Sequence, residues 1–313
     1  MWTTSDIPDQ TGRTAVITGA NGGLGLATAK ALAAKGAHIV MAARNQDKAR
    51  AAQDEILATT PEASTEIVEL DLGSQASVKQ AATTILAAHP TIDLLINNAG
   101  LMAMPERQTS DGYEMQFGVN HLGHWTLTAG LLAALVATPG SRVVTVSSTA
   151  QHTGKPIDPD NPHLRDGAYG PWRAYGQAKL ANRHFAEGLQ VEFERHGAQT
   201  SSLAAHPGLT NSDLQSTTVA ENPGNRLGHV FHRMVQATGM DAETGALSQL
   251  RAATDPDVPG GGFYGPLWVT TGPPVRKPLV RPGSGAAIRT LWEVSERETG
   301  VALDVAAALD ADR

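Results

Sequence analysis

Short runs of Val, Ile and Leu alternate with Ala-rich segments of helical period through the first two-thirds of the chain, and this rhythm predicts a βαβ fold. The runs cover 14–18, 37–43, 65–70, 92–97, 142–147 and 200–205, with a last one near Phe263, so about seven strands are expected. None alternates strictly between apolar and polar residues, as suits strands covered on both faces. Between them LGLATAKALAAKG and SVKQAATTILAAH are good helix formers, the first starting near Leu24 and closed by Gly36 in the C′ position. Right-handed crossovers then give an α/β fold, a doubly wound parallel sheet with helices on both faces. An amphipathic helix over 286–298, stopped by Gly300, ends the pattern.

Three stretches break the rhythm, and such breaks carry function or become mobile. The first, 149–173, is rich in Pro, Asp, Gly and His. The second, 209–240, contains NRLGHVFHRMVQ, in which Leu227, Val230, Phe231, Met234 and Val235 form an apolar stripe suited to core, subunit contact or a substrate lid. The third, DPDVPGGGFYGP, is a loop leading into the last strand. With no internal repeat and no long linker, residues 1–313 read as one domain.

Composition narrows the function. Apolar residues at 41% and charged residues at 18% describe an ordinary folded chain, and a net charge of −7 gives no general field for nucleic acid or anionic lipid. The absence of cysteine removes thiol nucleophiles, disulfides and Cys-ligated zinc. The N-terminus lacks a basic segment followed by an apolar one, and no run approaches eighteen apolar residues, so a soluble cytoplasmic protein without membrane attachment is expected.

Directly after the first strand comes TGANGGLG, Thr18 to Gly25, with the spacing Gly19-x3-Gly23-x-Gly25. Glycines let the chain turn sharply and bring backbone N–H groups close to an anion, and the following helix N-terminus adds partial positive charge. Strand, glycine turn and helix make a pyrophosphate cradle, with Gly19, Asn21, Gly23, Leu24 and Gly25 against the ligand. At the end of the second strand, where an acid would accept bonds from ribose hydroxyls, MAARNQDK places Arg44. A guanidinium suits a 2′-phosphate, which favours NADP over NAD. Asp71 and Leu72, in LDLGS after the third strand, fit an adenine contact, although Asp71 could equally cap the helix from Ser74.

With TGANGGLG, then NNAG at Asn97 to Gly100, YGQAK at Tyr175 to Lys179 and HPG at His206 to Gly208, the chain resembles the short-chain dehydrogenase/reductase family. The resemblance implies a single-domain Rossmann fold in which nicotinamide cofactor and small-molecule substrate meet at the carboxyl edge of the sheet. It also implies cofactor contacts from Asn98, Ala99, Gly100, Tyr175, Lys179, Pro207 and Gly208, and a catalytic set of Asn120, Ser148, Tyr175 and Lys179. Residues at i and i+4 of a helix share a face, so Lys179 can stand beside the Tyr175 phenol. An ammonium about 5 Å away at an effective dielectric near 20 favours the phenolate by roughly 3 kcal/mol, about two pKa units below the usual value. Tyr175 then acts as general acid-base for an alcohol/ketone pair. Ser148 would hydrogen-bond the substrate oxygen, and Asn120 would hold a water in a proton relay from Lys179. Ser147 competes with Ser148, but neighbouring side chains on a strand point opposite ways.

His121 and His124, three apart beside Asn120, lack an acid or cysteine partner for a metal; packing or capping is expected, no metal site is assigned, and His206 likewise packs or bonds beside its loop. Tyr175 follows Ser148 by 27 positions, about twice the family's usual spacing. That insertion, with DGYEMQFGVNHLGHW and LWEVSERETG, resembles the branch containing retinol dehydrogenases, the WW-domain oxidoreductase and protochlorophyllide reductase. The reading is an NADP(H)-dependent oxidoreductase for a lipophilic ketone, aldehyde or secondary alcohol. Its competitors are an epimerase or dehydratase of the extended relatives and a nicotinamide-sensing regulator without turnover. The resemblance also implies a homo-oligomer, dimer or tetramer, through two exposed helices bearing Asn120 and Tyr175.

Overall fold

In the computed structural model, which describes residues 1–211, 239–278 and 284–311, eight strands form one sheet in the order β3-β2-β1-β4-β5-β6-β7-β8. They are β1 (Thr14–Thr18), β2 (His38–Ala43), β3 (Thr65–Glu69), β4 (Leu94–Asn97), β5 (Arg142–Val146), β6 (Ser201–Ala205), β7 (Phe263–Pro266) and β8 (Pro274–Lys277). All neighbours pair parallel except β7 and β8. The order reverses between β1 and β4, which opens a crevice at the carboxyl ends of these strands.

Period-2 alternation along each strand feeds two cores. Val16, Val40, Ala42, Leu95 and Val143 pack on one face, against α3 (Gln75–Ala88), α5 (Gly123–Val136) and α6 (Pro171–His196). Ala15, Ile17, Ile39, Met41, Leu94 and Ile96 pack on the other, against α1 (Gly23–Ala33), α2 (Gln46–Thr59) and α7 (Ala242–Thr254). Because both faces are covered, the strands read as continuous apolar runs.

Several expectations are corrected. Beyond the seven strands expected, β8 adds an antiparallel edge. The stop of the first helix is as expected: Gly36, at φ 90°, takes the C′ position, its N–H donating to the Ala33 carbonyl at 2.9 Å and the Ala37 N–H to the Leu32 carbonyl at 3.2 Å. The helices bearing Asn120 and Tyr175 are not exposed flanks. α8 (Ser284–Thr299) lies on α6, where its Trp292 ring occupies the space that a side chain at Gly188 would fill. α9 (Val305–Asp310) lies on α5, whose Trp125 is fully buried and donates Nε1–H to the Val301 carbonyl at 2.9 Å. Association through these helix faces would therefore have to displace this chain's own C-terminal helices.

The 149–173 stretch is ordered and packed rather than a loose excursion. His163 stacks on Tyr113 at 5.5 Å, its Nδ1 accepts the Glu114 N–H at 3.1 Å, and its Nε2 pairs with Glu298 of α8 at 3.0 Å. The Tyr169 hydroxyl donates to the Met104 carbonyl at 2.6 Å. The apolar stripe from Leu227 to Val235 lies outside the described residues. Among the described residues no helix is long and apolar enough to cross a membrane.

Candidate active site

β1 delivers Thr18, fully buried, to the carboxyl edge, and the chain must then turn into α1 within four residues. Gly19 at φ 68° and Gly23 at φ 48° make that turn in the left-handed region open to glycine. A side chain at Gly25 would collide with the Gly19 carbonyl and with the Asn98 amide nitrogen. Gly22 precedes α1 with no side-chain cap, so the leading N–H groups of an eleven-residue helix have no capping oxygen and suit an anion. The Thr18 hydroxyl accepts the N–H groups of Asn98 and Ala99 at 2.9 and 3.0 Å, and Asn98 Nδ2 donates to the Thr18 carbonyl at 2.9 Å. This stitches NNAG to the end of β1.

The cavity over this edge measures about 740 Å³, and every residue predicted to contact the cofactor lines it, from Gly19 in the cradle to Gly208 at the far end. Arg44 stands at the rim, 72% exposed, with Nη1 4.0 Å from an Asp71 carboxylate oxygen. Asp71 does not cap the third helix. Its Oδ1 accepts the Gly73 N–H at 2.9 Å, and Ser74 is the cap of α3. Gly208, at φ 76°, lies where a side chain would meet the Thr270 carbonyl, so the β7–β8 turn packs tightly on this wall.

Tyr175 and Lys179 lie one turn apart on α6, each only 4% exposed, with Lys179 Nζ 5.8 Å from the centre of the Tyr175 ring. Lys179 Nζ donates to the Val146 carbonyl at 3.1 Å. Ser148 caps a short 3-10 turn, Thr149–His152, its hydroxyl accepting the Ala150 N–H at 3.2 Å, and lies beside the Tyr175 phenol. Ser147 points the other way, donating to the Lys179 backbone carbonyl at 2.7 Å.

The electrostatics correct the expected phenolate. Burial pushes Tyr175 up to about 12, only partly offset by the neighbouring Ser148 hydroxyl. Burial also pulls Lys179 down to about 8. Loss of water disfavours the charged form of each group, and it is the largest cause of both shifts. The phenol is thus held protonated beside an amine that titrates near neutrality.

Asn120 sits in a π-helical turn, Gly118–Leu122, between α4 (Met115–Phe117) and α5. Its Oδ1 accepts the Leu101 N–H at 2.7 Å and its Nδ2 donates to the Leu101 carbonyl at 2.9 Å. Both atoms of the amide bond this backbone, so the side chain clamps the segment after NNAG. The Asn120 carbonyl accepts from His124 Nδ1 at 2.9 Å, and His124 Nε2 then accepts the Thr18 hydroxyl at 2.8 Å. The π turn and the glycine cradle are thereby tied by one directional chain of hydrogen bonds.

Burial lowers His121 to about 3 and His124 to about 4, so both are neutral core residues, His121 stacked on Phe117 and bonded to Ser295. His206 is also lowered by burial, to about 4. Its Nδ1 accepts the Gly208 N–H at 3.3 Å.

The sequence reading missed part of the wall. Lys48, four residues after Arg44, borders the same rim, and Met102, Ala150, Thr153 and Trp172 surround Tyr175. Trp172 lies one helical turn before Tyr175, with its ring edge-on at 6.0 Å, and Met102 and Ala103 form an apolar cluster with Tyr175. The i, i+3 spacing of Trp172 to Tyr175 on one helix was the available signal.

Residues 13–160 match the model of the short chain dehydrogenase family. A short chain dehydrogenase/reductase of Colletotrichum higginsianum, dpchH, is 34% identical, over 94% of this chain and 76% of its own length. Human retinol dehydrogenase 13 is 37% identical, over 74% of this chain and 70% of its own. The crystal structure of an uncharacterized protein from Mycobacterium Paratuberculosis is 38% identical, with a TM-score of 0.78 over 96% of this chain and 98% of that one.

Proposed function

Because the chain belongs to the short-chain dehydrogenase/reductase family of oxidoreductases, which use nicotinamide cofactors, we propose that it is an NADP(H)-dependent enzyme interconverting a lipophilic carbonyl compound and its alcohol. The observation that carries this reading is the meeting of Ser148, Tyr175 and Lys179 with the glycine cradle in one cavity. The cradle fits a dinucleotide: Gly19 and Gly23 turn the chain at positive φ, Gly25 lets it pack on Gly19 and Asn98, and Arg44 and Lys48 bring positive charge to the rim. When bound, the nicotinamide supplies or accepts the hydride.

The rest falls to this chain. In reduction, Ser148 and Tyr175 hydrogen-bond the substrate oxygen, and the phenol, kept protonated by burial, gives its proton to that oxygen as negative charge develops there. Lys179, when charged, stabilises the phenolate that remains. Met102, Ala150 and Trp172 give the substrate side of the cavity an apolar surface, and the name of one relative, retinol dehydrogenase 13, supports a lipophilic substrate.

The test is to mix purified protein with NADPH or NADH and a panel of ketones and aldehydes, and to follow loss of reduced cofactor. Binding of neither cofactor overturns the reading, whereas NADPH binding without turnover on any carbonyl moves it to a sensing regulator. Arg44→Ala should raise the KM for NADPH about tenfold and leave that for NADH nearly unchanged, since one exposed charge-assisted contact to phosphate is lost. Equal effects on both cofactors, measured by initial rates, would remove Arg44 from phosphate recognition.

The pH profiles of the two directions should diverge. Reduction needs the phenol protonated, which holds across the neutral range, and should decline as pH rises through about 8, where Lys179 loses its charge. Oxidation needs the phenolate, so its rate should climb with pH into the alkaline range. Parallel profiles of kcat/KM in the two directions would contradict this assignment.

A further inference from the structure

At the amino ends of the strands, opposite the cradle, three side chains from three elements converge without any part in the chemistry above. In the parallel pairing of β2 with β3, Val40 stands opposite Glu66, and the Ile39 N–H donates to the Ser64 carbonyl at 2.9 Å. By alternation His38, Ser64 and Glu66 share the sheet face that Val40 presents to α3. α3 returns over that face and ends at His89, whose N–H bonds the Ile85 carbonyl. One ring nitrogen of His38, one of His89 and a carboxylate oxygen of Glu66 therefore come within 4.8 Å of one another.

We infer that His38, Glu66 and His89 form a binding site for a divalent first-row transition ion, with Zn²⁺ as the ion it suits best. Two imidazoles and one carboxylate are a donor set for Zn²⁺, Ni²⁺ or Cu²⁺ and a poor one for Mg²⁺ or Ca²⁺. The His38 ring is held by a 2.7 Å hydrogen bond between Nδ1 and the Ser64 hydroxyl, while its Nε2 is buried with no hydrogen-bond partner among the described residues. A metal-bound imidazole has this arrangement, with one nitrogen fixed by a protein oxygen and the other left to ligate. Leaving a buried polar nitrogen unpaired is unfavourable, and a bound cation relieves it.

On the other side, His89 Nε2 already lies 2.6 Å from Glu66 Oε1, and the His38 and His89 rings are 4.9 Å apart. Donors of a tetrahedral zinc site stand roughly 3.4 Å apart, so side-chain rotations of about an ångström close the set, and water completes it. The carboxyl end of the fourteen-residue helix α3, where His89 sits, favours a cation. The ion would fasten the edge strand β3 and the end of α3 to β2. This departs from the sequence reading, which assigned no metal: positions 38, 66 and 89 share no motif, and only the strand register together with the return of α3 brings them together.

The test uses tag-free full-length protein stripped with a chelator. Calorimetric titration with Zn²⁺ should show one site per chain of micromolar or better affinity, and Mg²⁺ should show none. Zn²⁺ at a hundredfold excess over its Kd should raise Tm by about 5 °C. Co²⁺ in place of Zn²⁺ should give visible absorption of a nitrogen- and oxygen-ligated ion. His38→Gln and His89→Gln should each weaken Zn²⁺ binding at least tenfold. Both should keep the reductase rate, because the cluster is at the far ends of the strands from Tyr175. No Zn²⁺ binding by the unaltered chain, or binding that survives both substitutions, overturns the site.

Discussion

Tyr175→Phe should lower kcat for carbonyl reduction by about 10²–10⁴-fold, the range that a positioned general acid contributes, and should leave cofactor affinity within about threefold. The substitution removes one hydroxyl and keeps the ring that packs with Met102 and Ala103 and meets Trp172 edge-on. Ser148 still accepts the Ala150 N–H at 3.2 Å and so keeps its place beside the ring. Melting temperature should therefore hardly change, which separates a catalytic loss from an unfolded variant. Initial rates, fluorescence titration with NADPH and a thermal melt together decide it. A variant that retains more than a tenth of the parent kcat would show that Tyr175 is not the proton donor, even if the protein proves to be a reductase.

The parts of this site that were legible beforehand are those that local chemistry enforces. Gly19, Gly23 and Gly25 announce a turn at φ values and approach distances that other residues resist, and that constraint is written in three letters of sequence. The runs that became β1 to β7 were legible because both faces of the sheet are covered. β8 was not: PVRK is four residues long, only partly buried, and starts with a proline tolerated at the start of an edge strand. The π turn at Gly118–Leu122 has no signature of its own, and without it the carbonyl of Asn120 would not be read as the acceptor of His124. The direction of the Tyr175 shift was misjudged for a related reason. Spacing shows that a lysine stands near, but only the packed structure shows how completely water has been removed from both groups. The insertion was equally opaque, since it is held by pairs such as His163 with Glu298 that lie 135 positions apart.

That insertion supplies the second large effect expected: Gly154→Ala should cut kcat/KM about 100-fold. Gly154 crosses α6 backbone to backbone at Gly176, the residue after Tyr175, and a methyl group at 154 would strike the Gly176 carbonyl. The same methyl would stand 3.1 Å from Leu180 Cβ, so it has no direction of retreat. α6 is fixed by its packing on β5, β6 and α8, so it is the insertion that must lift. Ala150 and Thr153 border the cavity, and Ser148 lies beside the phenol, so lifting the segment between them draws the hydroxyl of Ser148 away from Tyr175. Misplacement of a catalytic group by about 1 Å costs on the order of 10²-fold, and overpacking of this kind costs about 1–3 kcal/mol of stability. Gly176→Ala is the milder change: its methyl meets the Ala150 carbonyl and Gly154 at 3.1 to 3.2 Å, and alanine favours the helix by about 1 kcal/mol. Gly167→Ala, in the same insertion at φ 76° with nothing within 4 Å, carries backbone strain alone and should leave kcat/KM unchanged. Rates and melts of the three variants rank the contacts. If Gly154→Ala keeps both the parent rate and the parent Tm, the crossing at Gly176 is not what sets the distance from Ser148 to Tyr175.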